Sequence, residues 1–182
     1  MKNLFYFSVV LLMSFFIISN VSNAQTSPVK VTVYGGGTLP VGSFGDANNA
    51  SGNVGVDIQY TIDKNWSVYG NGAYNFLAPK TDGVSSHIIE ATVGPRYTYN
   101  FGGASFIGEV GAGIYSSSSS VSTMIGDISA SSTDFGINGG AGLEVPISPI
   151  MNFVGKVKFH NIFTEGSSTS YMGGYAGVNY RF

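Results

Sequence analysis

The sequence contains no cysteine and few charged residues, and each shortage excludes classes of protein. Its 182 residues hold no Cys, which excludes a disulfide framework, a thiolate zinc site and a lipidated cysteine at a new N-terminus. Charged side chains make up only 10% of the chain, far below the roughly 25% of an ordinary soluble domain. With 8 Lys and Arg against 10 Asp and Glu, the chain also lacks the basic footprint of a nucleic-acid-binding protein.

Long apolar runs and a helical period are lacking beyond the N-terminal segment. After residue 24 no stretch approaches the 18 or so consecutive apolar residues that indicate a membrane-spanning helix. Glycine and aromatic residues are abundant instead, at 26 Gly, 13 Phe, 11 Tyr and 1 Trp. Disordered chains are poor in aromatic residues, so this composition favours a folded protein with little surface in contact with water.

The first 24 residues have the features of a secretory signal peptide. Lys2 gives a positive start, residues 4–18 are almost wholly apolar, and Ser22-Asn23-Ala24 places small residues where signal peptidase cleaves. The apolar run is short for a transmembrane helix, which needs about 20 residues. We therefore predict that residues 1–24 are cleaved and that residues 25–182 form one domain.

The remaining sequence alternates with a period of two residues. In the segment 53–62, Val, Ile and Tyr alternate with Asn, Gly, Asp, Gln and Thr. Such alternation indicates a β-strand with one apolar and one polar face. The pattern recurs eight times, at residues 29–37, 51–62, 65–77, 86–101, 104–116, 132–145, 150–163 and 170–182.

The connections between these segments alternate in length. Strands of about 9–11 residues can cross a bilayer, and short turns at one end with longer loops at the other are typical of outer-membrane barrels. The sequence therefore predicts an all-β, eight-stranded antiparallel up-and-down transmembrane β-barrel with short periplasmic turns and longer extracellular loops. The predicted turns are Asp63-Lys64, Gly102-Gly103 and 146–149, and the predicted loops are 38–50, 78–85, 117–131 and the intermediate 164–169.

The charged residues distinguish a membrane barrel from a soluble ligand-binding barrel. Every charge within a predicted strand falls on the polar parity, opposite the apolar residues. A dry, narrow lumen accounts for charges that are both sparse and balanced, because an unpaired charge there would be very costly. We predict a lumen charge network of five acids and five bases: Lys30, Asp57, Glu90, Arg96, Glu109, Asp134, Glu144, Lys156, Lys158 and Arg181.

One strand register follows from the connection Gly102-Gly103. If these glycines form a two-residue hairpin loop, Arg96 lies directly opposite Glu109, with both side chains in the lumen. Pro95 in the same strand removes a ladder hydrogen bond. A bulge at Gly94-Pro95 would accommodate it.

The C-terminus resembles a known signal of outer-membrane barrels. Gly177 is followed by aromatic residues at the third-last and last positions, Tyr180 and Phe182. The stretch Gly94-Pro95-Arg96-Tyr97 resembles a strand of small outer-membrane barrel domains, and the plan of the whole chain is similar to the eight-stranded OmpA/OmpX-type family. The resemblance implies the outer membrane of a Gram-negative-type bacterium, contact with its lipid, and recognition of Gly177, Tyr180 and Phe182 by the barrel-assembly machinery.

The sequence offers little for catalysis or metal binding. Its two histidines are His87 and His160, and His160 with Glu165 is the only suggestive pair, without a match to a barrel-enzyme motif. We therefore expect no enzymatic activity, no cofactor and no bound metal.

Side chains should fill the lumen of an eight-stranded barrel, and here the inward tyrosines and charges should plug it. The expected function is that of a monomeric structural or surface-interaction protein, which acts through its extracellular loops on an unidentified ligand. The alternatives are a small-solute channel of low conductance and a soluble ligand-binding barrel.

Overall fold

The computed structural model describes residues 28–81, 83–123, 126–165 and 167–182, and it consists almost entirely of antiparallel strands. The predicted signal peptide, residues 1–24, lies outside the described residues. No helix in the described ranges is long and apolar enough to span a membrane. The elements are β1 (Val29–Val41), α1 (Ser43–Ala47), β2 (Asn48–Asn49), β3 (Ser51–Thr61), β4 (Trp66–Pro79), β5 (Val84–Asn100), β6 (Ser105–Thr123), β7 (Gly126–Ser148), β8 (Met151–Thr164) and β9 (Ser167–Arg181).

The eight long strands form a closed barrel. Each pairs with its neighbours in chain order, and β1 pairs with both β3 and β9, so the sheet has no free lateral edge along the barrel wall. The two-residue strand β2 pairs only with the end of β4, where Asn48 faces Pro79. The predicted fold class, an eight-stranded antiparallel up-and-down barrel, is therefore confirmed, with one short extra strand.

The two parities of each strand have opposite environments. In β3 the inward side chains Asn53, Asp57 and Gln59 are buried, whereas Val54 and Ile58 are exposed on the outer wall. The same alternation runs around the barrel, so its outer wall is covered by Val, Ile, Leu, Phe and Tyr. An apolar band of this extent requires a hydrocarbon environment, because in water it would drive association.

The two ends of the barrel differ. The short-turn end carries the connections β3–β4, β5–β6 and β7–β8, and the opposite end, named the outer end here, carries α1, β2 and the β6–β7 hairpin. In the β3–β4 turn, Asp63 Oδ1 accepts hydrogen bonds from the N–H groups of Asn65 and Trp66, both at 2.8 Å. These bonds stabilise the ionised form and hold the pKa of the Asp63 carboxyl below its ordinary value.

The register predicted from Gly102-Gly103 is present. Arg96 pairs with Glu109 across β5 and β6, and Gly102 has a positive φ of 97°. The bulge expected at Gly94-Pro95 is absent, because the β5–β6 ladder keeps one register on both sides of these residues. The register shift lies instead between Pro146 and Ser148, in a segment predicted as a turn.

The loops predicted for the outer end are largely strand. Residues 117–131 were expected to be a loop, but β6 and β7 extend through them and pair as far as Thr123 opposite Gly126. The predicted loop 38–50 contains the end of β1, α1 and β2, and the predicted loop 78–85 shortens to residues 80–83. Serine has little intrinsic strand preference, so the pairing of the two segments, which the sequence does not display, decides their conformation.

Glycines of the inner wall leave room for the buried tyrosines. A Cβ added at Gly55 would overlap the Tyr34 phenol ring and lie 2.7 Å from the backbone oxygen of Gly72. Tyr34 and Gly55 are directly opposite each other in β1 and β3. The large ring therefore covers the bare backbone of its neighbour.

Replacing Gly55 with valine is expected to destabilise the barrel by about 1–3 kcal/mol, because it overpacks the lumen against Tyr34. Gly70→Val is the matched control, since nothing lies within 4 Å of a Cβ added at that glycine of β4. Urea unfolding of both variants in lipid vesicles measures the difference. Equal midpoints for the two variants would contradict the packing role of Gly55.

Candidate functional site

Five charged side chains from four strands meet in the middle of the lumen. Asp57 comes from β3, Arg96 from β5, Glu109 from β6, and Lys156 and Lys158 from β8. All five are buried on the inward parity of their strands. We call them the central charge cluster. Its three bases and two acids compensate most of one another's charge, as burial requires.

Arg96 connects both carboxylates of the central charge cluster. Its Nη2 lies 2.6 Å from Asp57 Oδ2, and its Nε donates to Glu109 Oε2 over 2.7 Å. Its Nη1 donates to Gln59 Oε1 over 2.9 Å, and the guanidinium carbon lies 4.8 Å from the centroid of the Tyr69 ring. A planar guanidinium with several donors suits these divergent partners, which a lysine ammonium could not bind in the same way.

The two lysines bring further positive charge to the same carboxylates. Lys156 Nζ lies 2.7 Å from Asp57 Oδ2 and 3.5 Å from Glu109 Oε1. Lys158 Nζ lies 3.2 Å from Glu109 Oε1 and 4.9 Å from the centroid of the Tyr69 ring. Ion pairing and the aromatic face thus both compensate the buried ammonium of Lys158.

A second group of polar side chains lies between the central charge cluster and the outer end. The His160 ring stacks on Tyr171 with centroids 4.4 Å apart, and its nitrogens hydrogen-bond the hydroxyls of Tyr115 and Tyr175 at 3.1 and 3.0 Å. Glu90 Oε2 accepts a hydrogen bond from the Tyr171 hydroxyl and lies 3.4 Å from His160 Nδ1. The group therefore packs a carboxylate and an imidazole inside a shell of phenol rings.

The pairing of His160 with Glu165 suggested by the sequence is wrong. Glu165 is exposed beyond the end of β8, and the carboxylate next to His160 belongs to Glu90 on the opposite side of the barrel. His87 lies on the outer wall, where its ring stacks on Tyr74 with centroids 4.9 Å apart. The two histidines are thus separated by the barrel wall.

The other predicted lumen charges lie toward the two ends. At the short-turn end Lys30 Nζ lies 3.1 Å from Glu144 Oε2. Arg181 is the residue of β9 directly opposite Lys30 in the backbone register of the β1–β9 seam. Asp134, near the outer end, accepts a hydrogen bond from Ser132 Oγ at 2.9 Å. Asp134 and Arg181 have the predicted inward parity, but both are partly exposed and outside the ion pairs found among the described residues.

Sequence reasoning missed the amide side chains that link these groups. Asn138 Nδ2 donates to the Tyr115 hydroxyl at 3.2 Å, and Asn138 Oδ1 accepts from the Tyr69 hydroxyl at 2.9 Å. Asn179 Nδ2 contacts Glu144 Oε1 at 3.3 Å. Their polar parity was a usable signal, because uncharged polar residues on the lumen side must also find partners.

The arrangement offers no obvious metal-binding geometry. In the described ranges, no group of three or more His, Asp or Glu side chains is arranged to hold a metal ion. The charges of the central charge cluster instead face charges of opposite sign, and the Tyr69 ring lies beside Arg96 and Lys158. The arrangement thus brings acids and bases from four strands into contact inside the barrel.

The β6–β7 hairpin extends past the neighbouring strand at the outer end. Pairing of β7 with β8 begins at Phe135 opposite Phe163, whereas β7 itself begins at Gly126. Within the described residues, positions 126–134 therefore pair with β6 alone. Residues 128–133 are all exposed. This nine-residue edge, about 30 Å long at the usual rise per strand residue, is the free edge of β7.

The residues of the predicted assembly signal lie in or next to β9. Gly177 faces Tyr34 of β1 across the seam of the barrel. Tyr180 is exposed on the outer wall at the short-turn end, and its ring meets that of Phe182 edge-on with centroids 4.7 Å apart. The two aromatic side chains are thus held together at the margin of the apolar band.

Solved structures share this architecture. Neisserial surface protein A matches with a TM-score of 0.66 at 15% identity, covering 87% of this chain and 99% of that one. Ail, the attachment invasion locus protein of Yersinia pestis, matches with a TM-score of 0.55 at 17% identity, covering 86% and 99%. OprG, an outer membrane protein of Pseudomonas aeruginosa, matches with a TM-score of 0.52 at 13% identity, covering 87% and 97%.

The family model gives a more specific result than these fold similarities. No curated protein matches the chain. The model of the outer membrane protein beta-barrel domain, however, matches residues 8–182. Together with the closed barrel and its apolar outer wall, this match places the chain in the outer membrane. The chain belongs to the outer membrane protein beta-barrel domain family.

Proposed function

We propose that this protein is a surface-interaction barrel whose docking element is the free edge of β7. The observation that carries the proposal is that residues 126–134 pair with β6 but with no strand on their other side among the described residues. Such an edge presents unpaired N–H and C=O groups. An extended segment of a partner protein can add to it as a further strand, with main-chain hydrogen bonds supplying the affinity.

The chemistry of the hairpin favours a polypeptide partner. Between Arg96 and Lys156 the sequence contains no Lys or Arg, so the hairpin lacks the cations that bind sulfated or phosphorylated glycans. Ail has been solved in complex with the heparin analogue sucrose octasulfate, but the residues that would attract such a polyanion are missing from this hairpin. Residues 129–133 are exposed and small, four of them Ser or Thr and one Ala, which allows close approach of another backbone.

A trimmed barrel tests this proposal. Deleting residues 118–131 and joining Ser117 to Ser132 through Asn-Gly keeps the register, because Ser117 and Ser132 are already partners. Vesicles carrying the wild-type barrel are expected to bind at least one protein in a panel of immobilised extracellular-matrix proteins, and the trimmed barrel is expected to lose that binding. The control replaces α1 (Ser43–Ala47) with a Gly/Ser linker of equal length and should bind as wild type.

Two outcomes would contradict the docking role of this edge. One is equal binding by the trimmed and wild-type barrels. The other is that no protein of the panel binds wild-type vesicles better than empty ones. Migration of unheated samples on a gel shows whether each variant has kept its barrel, so a folding defect is recognised separately.

We further propose that the lumen is closed to ions and small solutes. The support is that Asp57, Arg96, Glu109, Lys156 and Lys158 contact one another across the lumen and are all buried. An ion passing through would have to break several of these pairs at once. Planar-bilayer recordings of the wild-type barrel are expected to show no reproducible current steps. Regular steps would favour the alternative of a small-solute channel.

The remaining parts of the proposal concern export and assembly. We propose that residues 1–24 are removed during secretion, leaving residues 25–182 as a monomeric barrel domain without a catalytic role. Gly177, Tyr180 and Phe182 are proposed to be recognised by the barrel-assembly machinery. This recognition is supported by the position of Tyr180 and Phe182, whose rings contact each other at the short-turn end of the last strand.

A further inference from the structure

A polar cavity opens at the short-turn end of the barrel. Its volume is about 420 Å³, within the range of small-molecule sites. Three bases, Lys30, Lys64 and Arg181, and two acids, Asp63 and Glu144, line it. The side chains that line the cavity therefore carry a net charge of +1.

The two acids of this cavity already have partners. Glu144 pairs with Lys30 at 3.1 Å and accepts from Asn179 Nδ2 at 3.3 Å. Asp63 Oδ1 accepts two hydrogen bonds from N–H groups of its own turn. Lys64 and Arg181 belong to no ion pair of the described residues. Among the charged groups outside ion pairs, the two cations Lys64 and Arg181 therefore outnumber the single carboxylate of Asp63, which is held only by neutral N–H donors.

The amide groups of the cavity wall add donors of the same kind. Gln59 Oε1 accepts from Arg96 Nη1 at 2.9 Å, which leaves its Nε2 free to donate. Asn100 Oδ1 accepts a hydrogen bond from the N–H of Gly102 at 3.0 Å, which likewise leaves the side-chain NH₂ group of Asn100 available to donate. Both residues line the cavity. The amide oxygens of Gln59 and Asn100 thus already accept hydrogen bonds, whereas their NH₂ groups can donate to a bound anion.

We propose that this cavity, named the short-turn cavity, binds an oxyanion, a phosphate or carboxylate group on a molecule small enough to enter it. Arg181 is the anchor, since its planar guanidinium can donate two parallel hydrogen bonds to such a group. Lys64 adds charge at the rim, and the amides of Gln59 and Asn100 complete the donors. Because short turns of outer-membrane barrels face the periplasm, the ligand comes from that side, either as a soluble molecule or as a lipid headgroup.

The chain carries its own reporter for this site. Trp66 is the only tryptophan, and it lines the short-turn cavity. Trp66 is 49% exposed on the outer wall, and its ring meets the Tyr97 ring edge-on with centroids 5.1 Å apart. Its fluorescence therefore responds to the cavity and to the adjacent lipid, and comparison with a cavity variant such as Arg181→Gln separates the two. The wild-type barrel, refolded in neutral phosphatidylcholine vesicles, is titrated with sodium phosphate at constant ionic strength set with sodium chloride.

We expect a saturable change of Trp66 fluorescence with phosphate. Arg181→Gln is expected to weaken the apparent affinity on the order of tenfold, as loss of charge-assisted hydrogen bonds implies. Lys64→Gln should weaken it less. Lys80→Gln is the control, because Lys80 lies at the outer end and its Nζ donates to the backbone oxygen of Gly45 at 2.9 Å. It should leave the titration unchanged.

A second pair of vesicles separates the two sources of the anion. If vesicles containing phosphatidylglycerol shift the fluorescence in an Arg181-dependent way without added phosphate, the lipid headgroup occupies the site. If the Arg181-dependent fluorescence shift appears only when dissolved phosphate is added, the ligand is a soluble molecule. The proposal is overturned if sodium chloride alone gives the same response, or if Arg181→Gln binds phosphate as tightly as wild type while remaining folded by gel migration.

Discussion

Replacing Arg96 with methionine is expected to lower the free energy of unfolding by about 3–5 kcal/mol, because it leaves buried carboxylates without their main partner. Arg96 Nη2 lies 2.6 Å from Asp57, its Nε lies 2.7 Å from Glu109, and all three side chains are buried. Urea unfolding in lipid vesicles measures the loss. Arg181→Met is the matched control and should cost less than about 1 kcal/mol, because partly exposed charges contribute little.

A charge-conserving variant separates electrostatics from packing in this result. If the cost of Arg96→Met comes from the lost positive charge, Arg96→Lys should retain part of the stability, because it keeps a cation beside Asp57 and Glu109. Lys156 and Lys158, which lie 2.7 Å from Asp57 and 3.2 Å from Glu109 in the wild-type barrel, are unchanged in both variants. A loss for Arg96→Met as small as that of the Arg181 control would show that the central charge cluster does not govern stability.

Placing a charge on the middle of the outer wall should also be costly. Val110 of β6 is 59% exposed, and in water its replacement by arginine would cost little. In a bilayer, Val110→Arg is expected to destabilise the barrel by about 2–4 kcal/mol, the range for a basic residue near the midplane of a lipid-facing strand. Unfolding in vesicles, compared with wild type, measures this cost.

The control for that variant is a comparably exposed apolar residue in the part of the β6–β7 hairpin that is proposed to lie outside the bilayer. Ile128 is 68% exposed on the free edge of β7, and Ile128→Arg is expected to change stability by no more than about 0.5 kcal/mol, as for an ordinary surface site. The comparison locates the boundary of the hydrocarbon along the β6–β7 hairpin. Similar costs at the two positions would mean that the hairpin lies in lipid, which would undermine its proposed role outside the membrane.

The barrel wall was predictable because its chemistry is local. The period of two along a strand assigns its residues to faces, whatever the partners of the strand. In β3 it places Asp57 and Val54 on opposite faces, and in β8 it does the same for Lys156 and Val157. One tight turn, Gly102-Gly103, then sufficed to place Arg96 opposite Glu109. These inferences need only neighbouring residues, and the structure agrees with them.

Contacts across the lumen were not predictable in the same way. Which inward residues meet depends on the stagger between strands that closes the barrel, and no single strand carries that information. His160 was therefore paired with the nearby Glu165 rather than with Glu90 on the opposite side. The prediction of a loop at the serine-rich segment 117–131 was wrong for a related reason, since the strand conformation there depends on the ladder between β6 and β7.

The seam between β1 and β9 has a consequence for the order of events in assembly. It joins residues from opposite ends of the described sequence, with Lys30 beside Arg181. Contacts of such long sequence separation form slowly, because the entropy of closing a large loop is lost before they contribute. Until β9 is in place, the edge of β1 stays open to pairing with other chains. The interval between synthesis and closure, more than the finished structure, is therefore when this protein is most exposed to aggregation.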